Sequence, residues 1–298
     1  MIVAAVDLGT NSTRLLVAEV TGTLTEIVRR LAITRLGEGV DERGKLLPLP
    51  IARVRNVLTD YRRELEALGA ERTLAIATSA VRDADNGEAF LGEVEWSYGF
   101  KTQLLSGEEE AAMTLRGVGE LAPGTLVVDI GGGSTELQVV GTDARTSLQV
   151  GCVRLTERYG EDVAAIRGHV REVLPDLGAE RAVGVAGTVT TIAALDLELP
   201  EYDPARIHGH AISTAAATVQ LERLAALSIV EREAIGVEPG RASVIVAGAA
   251  ILAEILDHYG LPAIEASERD ILHGAALAAA ELPEPEEGLA PPGAYTCC

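Results

Sequence analysis

Four stretches of the chain place acids, glycines and hydroxyl side chains at spacings that suit the handling of phosphate. Asp129-Ile-Gly131-Gly132-Gly133-Ser134-Thr-Glu136 sets three consecutive glycines and two hydroxyls between two acids. Glycine tolerates unusual φ values and adds no side chain, so an anion can come close to the backbone N–H groups of such a turn. Asp7-Leu-Gly9-Thr10-Asn11-Ser12 has a similar layout. Neither is a P-loop, because no G-x-x-x-x-G-K-[ST] run occurs and Lys is nearly absent. An Asp at the end of a buried strand is costly unless a cation or donors meet it. Asp7 and Asp129 are therefore candidate ligands for Mg²⁺ carrying several waters; the alternative is that each caps its own turn. Ser106-Gly-Glu108-Glu109-Glu110-Ala111 precedes an apolar helix. Acids favour a helix N-terminus, but three are more than a cap requires. One of them, aimed at a phosphate, would accept the proton of an attacking water. In Gly184-Val-Ala-Gly187-Thr188-Val-Thr-Thr191 the N–H groups would suit a phosphate or nucleotide, and Thr188 would equally serve as a plain N-cap.

The elements that must carry these residues follow from periodicity. Residues 2–8, 13–20 and 24–36 read as strands. Ile51, Val54, Val57, Leu58, Tyr61, Leu65 and Leu68 recur at steps of three and four, an amphipathic helix ended by Gly69. Strands follow at 73–78 and 102–105, with helix starts at Ser79 and after Ser106. From 125 the pattern restarts: strands at TLVVDIGG, STELQVVG and 147–153, then helices near 161–174, 188–197, 214–227 and 242–259, with strands at 182–186 and 263–267. The restart is an internal repeat. VDLGTNSTRLLVAEV at 6–20 aligns with VDIGGGSTELQVVGT at 128–142, so that Asp7 matches Asp129, Gly9 matches Gly131, and Ser12 and Thr13 match Ser134 and Thr135. Two similar α/β domains facing each other across a cleft are expected, 1–122 and 123–282, followed by a Pro/Glu/Gly-rich disordered tail at 283–298.

Composition sets the setting. The 298 residues are 47% hydrophobic but only 3% aromatic, so packing rests on Ala, Val, Leu and Ile. The net charge of −20 argues against nucleic acid and anionic membrane surfaces as partners. Three cysteines without ligand spacing, no signal peptide and no long uncharged apolar run point to a cytoplasmic location. The longest apolar stretch, Ala242 to Leu256, contains Glu254 and reads as a buried helix. Within this acidic chain, residues 29–63 carry nine cations against four acids; Arg29 and Arg30 open this strip and are candidate contacts for a polyanion.

Read together, the ordered stretches DLGTNSTRLLV (7–17), ITRLGEGVDERGKL (33–46), TSAVRDADN (78–86), LLSGEEEA (104–111), VVDIGGGSTEL (127–137), GVAGTVTT (184–191), HGHAIS (208–213) and PGRASVIVAGAAIL (239–252) resemble the exopolyphosphatase/guanosine pentaphosphate phosphatase family of the actin-like superfamily. The resemblance implies two RNase H-like domains around an interdomain cleft. It implies release of terminal orthophosphate from polyphosphate, short chains above all because the long C-terminal extension of larger members is missing. Guanosine pentaphosphate is the alternative substrate, which would tie the chain to the stringent response. An actin-like kinase or ATPase and a non-catalytic sensor are further rivals. Mg²⁺ or another divalent cation is implied, and a homodimer stays open. By the same resemblance Glu110 matches the catalytic base, Asp129, Gly131 and Glu136 the second phosphate loop with its catalytic acids, Asp7 to Ser12 the first loop, and Arg82 and Asn86 an element that meets phosphate. SGEEEA carries one more acid, Glu108, than the family pattern, which leaves the inward acid as either Glu109 or Glu110.

Overall fold

The computed structural model describes residues 1–283. The expected tail lies outside the described residues except for Pro283. The chain forms two compact units, one made of Met1–Gly117 with the segment from Ile271 onward, the other of Val118–Asp270.

The first unit begins with three antiparallel strands, β1 (Ile2–Leu8), β2 (Ser12–Val20) and β3 (Leu24–Ile33). The short α1 (Val40–Arg43) and long α2 (Pro48–Leu68) lead to β4 (Arg72–Ala77). Then come α3 (Ser79–Arg82), α4 (Gly87–Tyr98), β5 (Lys101–Leu104) and α5 (Gly107–Val118). The sheet order is β3-β2-β1-β4-β5, with β1, β4 and β5 parallel. β1 is apolar from Ile2 to Val6, ahead of the buried Asp7, because both its faces are covered. Ala4, Val6 and Leu8 pack in the cluster built on Val54, Leu58, Tyr61 and Leu65 of α2, while Val3 and Ala5 face the opposite cluster. Gly69, at φ 69°, closes α2 where the sequence pattern ends it.

The second unit repeats the plan with β6 (Thr125–Ile130), β7 (Thr135–Val139) and β8 (Arg145–Leu148). Next are α6 (Cys152–Tyr159), α7 (Val163–Val173), β9 (Arg181–Val185), α8 (Ala186–Asp196), α9 (Pro204–Ile207) and β10 (Ala211–Ser213). They are followed by α10 (Thr214–Ala226), α11 (Ile229–Ala234), α12 (Pro239–Ala242), α13 (Ile245–His258) and β11 (Ala263–Ala266). The order β10-β11-β9-β6-β7-β8 contains the same core, two antiparallel hairpins continued by parallel strands. Both sheets thus have the RNase H-like arrangement. α13 is buried along nearly its whole length, and its Glu254 is held by Arg167 (2.8 Å) and Arg171 (2.7 Å). No helix among the described residues is long and apolar enough to cross a membrane.

Several elements differ from the periodicity reading: α1, α4, α9, α11, α12 and β10 are additional to it, the helix expected from Ser79 is the single turn of α3, and three further differences bear on the loops and on the two units. β8 stops at Leu148, and the expected strand 147–153 turns at Gly151 into α6. β3 stops at Ile33, since Arg35 takes a left-handed φ of 48° and the segment 34–37 folds back on the first loop. The last helix, α14 (Ile271–Ala280), has no counterpart in the sequence reading. Its Ile271, Leu272, Ala275, Ala276 and Ala279 cover the face of the first sheet that carries Val3 and Ala5, whereas the sequence reading grouped 271–282 with the second half.

Candidate active site

Both Gly-rich loops are the same two-residue hairpin turn. Leu8 pairs with Thr13, and the Gly9 N–H donates to the Ser12 carbonyl at 3.0 Å. Ile130 pairs with Thr135, and the Gly131 N–H donates to the Ser134 carbonyl, also at 3.0 Å. None of Gly9, Gly131, Gly132 and Gly133 has the positive φ that glycine is often chosen for. The requirement at Gly9 and Gly131 is space: a Cβ would stand 3.0 Å from the Ser12 or Ser134 carbonyl.

Each turn is braced by the segment that follows the third strand of its sheet. In the first unit the Thr34 and Arg35 amides donate to the Asn11 carbonyl and the Gly37 amide to the Thr10 carbonyl. In the second the Val153 and Arg154 amides donate to the Gly132 carbonyl, and Arg154 Nε donates to that of Gly133 at 2.7 Å. The repeat-related threonines join in, Thr13 Oγ1 with Thr34 Oγ1 (2.9 Å) and Thr135 Oγ1 with the Val150 carbonyl (2.6 Å). With the turn carbonyls engaged, the amides of Thr10, Asn11, Gly132 and Gly133 donate to no acceptor among the described residues. That is the arrangement an anion cradle needs.

In the first unit a chain of contacts leads from the turn to the candidate base. Thr10 Oγ1 and Ser79 Oγ lie 2.9 Å apart, and Ser79 opens the single turn of α3 that ends in Arg82. Arg82 Nη1 donates to the Leu105 carbonyl (2.7 Å) and to Glu110 Oε2 (3.1 Å). Arg82 Nη2 is buried with no partner among the described residues, a donor suited to an incoming anion. The three glutamates separate cleanly. Glu108 and Glu109 are exposed and Glu110 is buried. Glu109 Oε2 accepts from the Ser106 N–H (2.8 Å) while its own N–H donates to Ser106 Oγ (3.3 Å), a reciprocal cap on α5. Those bonds hold the Glu109 carboxyl below its ordinary range.

In the second unit Asp129 and Glu136 stand opposite each other across β6 and β7, both buried. Directly opposed residues share a sheet face. Ser147, opposite Glu136 on β8, donates to Glu136 Oε1 at 2.6 Å. Ser147 was not visible as a site residue in the sequence, because nothing in the run RTSL sets its register against Glu136. Ser147→Ala is expected to lower turnover about tenfold, the scale of one lost hydrogen bond to a charged group, and Ser147→Thr to restore most of it. Steady-state rates of the two variants check this.

The other candidate residues have these protein neighbours. Asn86 spends its amide on the backbone of Leu46, accepting from its N–H (2.8 Å) and donating to its carbonyl (3.1 Å). Arg29 and Arg30 do not form one strip. They pair with Leu16 and Leu15, which pack on opposite faces of the sheet, and Arg30 is bound to Glu64 at 2.6 Å. Much of the strip is likewise paired: Arg53 with Glu38, Arg55 with Glu93, Arg62 with Glu66 and Arg63 with Asp60. Thr188 is not a cap. The cap position of α8 is Val185, and Thr188 is buried against Gly248. Gly187 lies under Arg241, whose Nη1 donates to the Gly187 carbonyl (2.9 Å) and to Thr191 Oγ1 (2.8 Å); a Cβ at 187 would be 2.2 Å from Arg241 Nη2.

The two units thus carry duplicated Gly-rich turns, each on a mixed sheet with the same core strand order. The chain belongs to the Ppx/GppA phosphatase family, whose model matches residues 15–281. Exopolyphosphatase 2 of Mycobacterium tuberculosis is 40% identical over 93% of this chain and 98% of its own length. A guanosine-5'-triphosphate,3'-diphosphate pyrophosphatase of Photobacterium profundum is 33% identical, over 65% of this chain and 43% of its own. The crystal structure of an exopolyphosphatase-like protein aligns with a TM-score of 0.85 at 30% identity, covering 93% of this chain and 98% of that one. The Aquifex aeolicus family member aligns at 0.76 and 30%, covering 94% and 97%.

Proposed function

We propose that the protein is an exopolyphosphatase, a phosphoric anhydride hydrolase that releases terminal orthophosphate from inorganic polyphosphate in the cytoplasm. The observation that carries this reading is the buried Glu110 beside Arg82, whose second guanidinium nitrogen is buried and without a protein partner among the described residues. In the first unit the amides of Thr10 and Asn11 bind phosphoryl oxygens and Arg82 offsets their charge. Glu110 accepts the proton of the attacking water. The new P–O bond forms at the terminal phosphorus as the bridging P–O bond breaks, leaving orthophosphate and a chain one phosphate shorter. Positioning and charge neutralisation supply most of such a rate.

The donor set of the second unit fits a divalent cation. Asp129 and Glu136 are two buried carboxylates on one sheet face, hard oxygen donors that Mg²⁺ favours. No group of three or more His, Cys, Asp or Glu side chains suited to a metal occurs among the described residues, so the fit is to an ion that keeps several waters. When bound, the ion supplies neutralisation of phosphoryl charge.

Guanosine pentaphosphate is the second reading. It is favoured by the similarity to pyrophosphatases named for that nucleotide, and would join the chain to the stringent response. Phosphate release from short polyphosphate, long polyphosphate, guanosine pentaphosphate and ATP, with and without Mg²⁺, decides between them. Polyphosphate is expected to be turned over with the highest kcat/KM and only with the metal. A higher kcat/KM for guanosine pentaphosphate would reverse the order of the two readings.

A further inference from the structure

The two loops repeat each other's backbone but not their charge. Across β1 and β2, Asp7 stands opposite Arg14; across β6 and β7, Asp129 stands opposite Glu136, the residue that the repeat aligns with Arg14. Arg14 donates from Nε (2.9 Å) and from Nη2 (2.7 Å) to the same oxygen, Asp7 Oδ2. The pair is nearly closed to water, with side-chain exposures of 14% for Arg14 and 6% for Asp7. It also sits directly under the turn, since a Cβ on Gly9 would be 3.5 Å from that same carboxylate oxygen. A guanidinium held in this way offsets the charge of a buried carboxylate at fixed geometry, through one of its two oxygens, and stays charged at any working pH.

We propose that Arg14 is the resident counter-ion of the first loop, so that Asp7 takes no metal and the chain binds a single divalent cation, at the second loop. The proposal rests on the reading above that the cation belongs with Asp129 and Glu136. It revises the expectation that Asp7 and Asp129 are both ligands. Its consequence is a division of labour between duplicated turns. A phosphate chain meets the amides of Thr10 and Asn11 over a carboxylate already neutralised by the protein, whatever the metal concentration. Only the second turn depends on the ion.

The test is direct cation binding to the full chain without substrate, by Mg²⁺ calorimetry and by the electron paramagnetic resonance of Mn²⁺. One ion per chain is expected. Asp7→Asn should leave its dissociation constant within about threefold, because a residue outside the coordination sphere and its immediate support has little hold on the metal. Arg14→Gln should add a second, weaker ion, which the double variant Arg14→Gln/Asp7→Asn should lose. Two ions per wild-type chain, or a dissociation constant raised about tenfold or more by Asp7→Asn, would overturn the proposal. If Arg14→Gln does not fold, the wild-type count and the Asp7→Asn titration decide alone. Asp129→Asn tests the underlying reading separately. Undiminished binding there would sink the assignment of the ion to the second loop, while the Asp7→Asn result would still report on Arg14.

Discussion

Glu110→Gln is expected to keep the fold and substrate binding while lowering turnover by roughly 10²-fold or more, the usual scale for a lost general base. Gln fills the same volume and keeps an oxygen that can accept from Arg82 Nη1, now 3.1 Å from Glu110 Oε2. What it lacks is basicity. The neighbouring acid provides the control. Glu109 is exposed and closes the reciprocal cap with Ser106, so Glu109→Gln is expected to cost a few tenths to about 1 kcal/mol of stability and to leave turnover near that of the wild type. The folded carboxyl of Glu109 titrates below its unfolded value. Its cap therefore contributes fully above the unfolded pKa and fades as pH falls through the folded one. Single-turnover rates and thermal melts on both variants check these outcomes. A dead Glu109→Gln beside a fully active Glu110→Gln would move the base from Glu110 to Glu109.

The choice between Glu109 and Glu110 illustrates what the sequence could carry. A run of three glutamates behind Ser-Gly states that one will cap the helix and one can turn inward, but the reciprocal Ser106–Glu109 bonds appear only in the folded turn. The repeat was legible because identical residues recur at a fixed offset, and with it came the expectation of two similar α/β domains, whose shared core strand order only the folded sheets show. Arg14 was not legible. Its meaning depends on standing opposite Asp7 across a hairpin, and the repeat alignment itself hides the exchange of Arg14 for Glu136 behind matched neighbours. The basic strip is divided in the fold for a related reason. Adjacent strand residues point to opposite faces, so Arg29 and Arg30 cannot act as one patch however dense the charge along the sequence. α14 was missed because an Ala-rich segment after β11 carries no polar face to mark its period: it is buried against the first sheet along most of its length.

The same duplication sets up an unequal pair of glycine variants. Gly37 and Gly151 each lie in the segment that braces a turn, and each touches the turn where a Cβ would stand. At 37 the Cβ would be 2.3 Å from Thr10 Cγ2, a methyl that can move by rotating the Thr10 side chain. That rotation gives up the Thr10–Ser79 hydrogen bond, worth about 1 kcal/mol. At 151 the Cβ would be 2.3 Å from the Gly132 carbonyl oxygen and 2.5 Å from the Gly133 carbonyl carbon, both backbone. Nothing there can rotate away. The turn must shift as a body, and the bonds from the Val153 and Arg154 amides to the Gly132 carbonyl shift or break with it. Overpacking of this kind costs about 1–3 kcal/mol and occasionally more, and a displaced cradle loses its fit to the phosphoryl group, where a 1 Å error can cost about 10²-fold in rate. Gly151→Ala is therefore expected to lower kcat by about two orders of magnitude and to reduce the melting temperature. Gly37→Ala should lose well under tenfold in kcat with a smaller shift in melting. Rates and melts measured side by side settle the comparison. Equal effects at the two positions would mean that the second turn yields as readily as a side chain, and that its backbone is not what holds the phosphate.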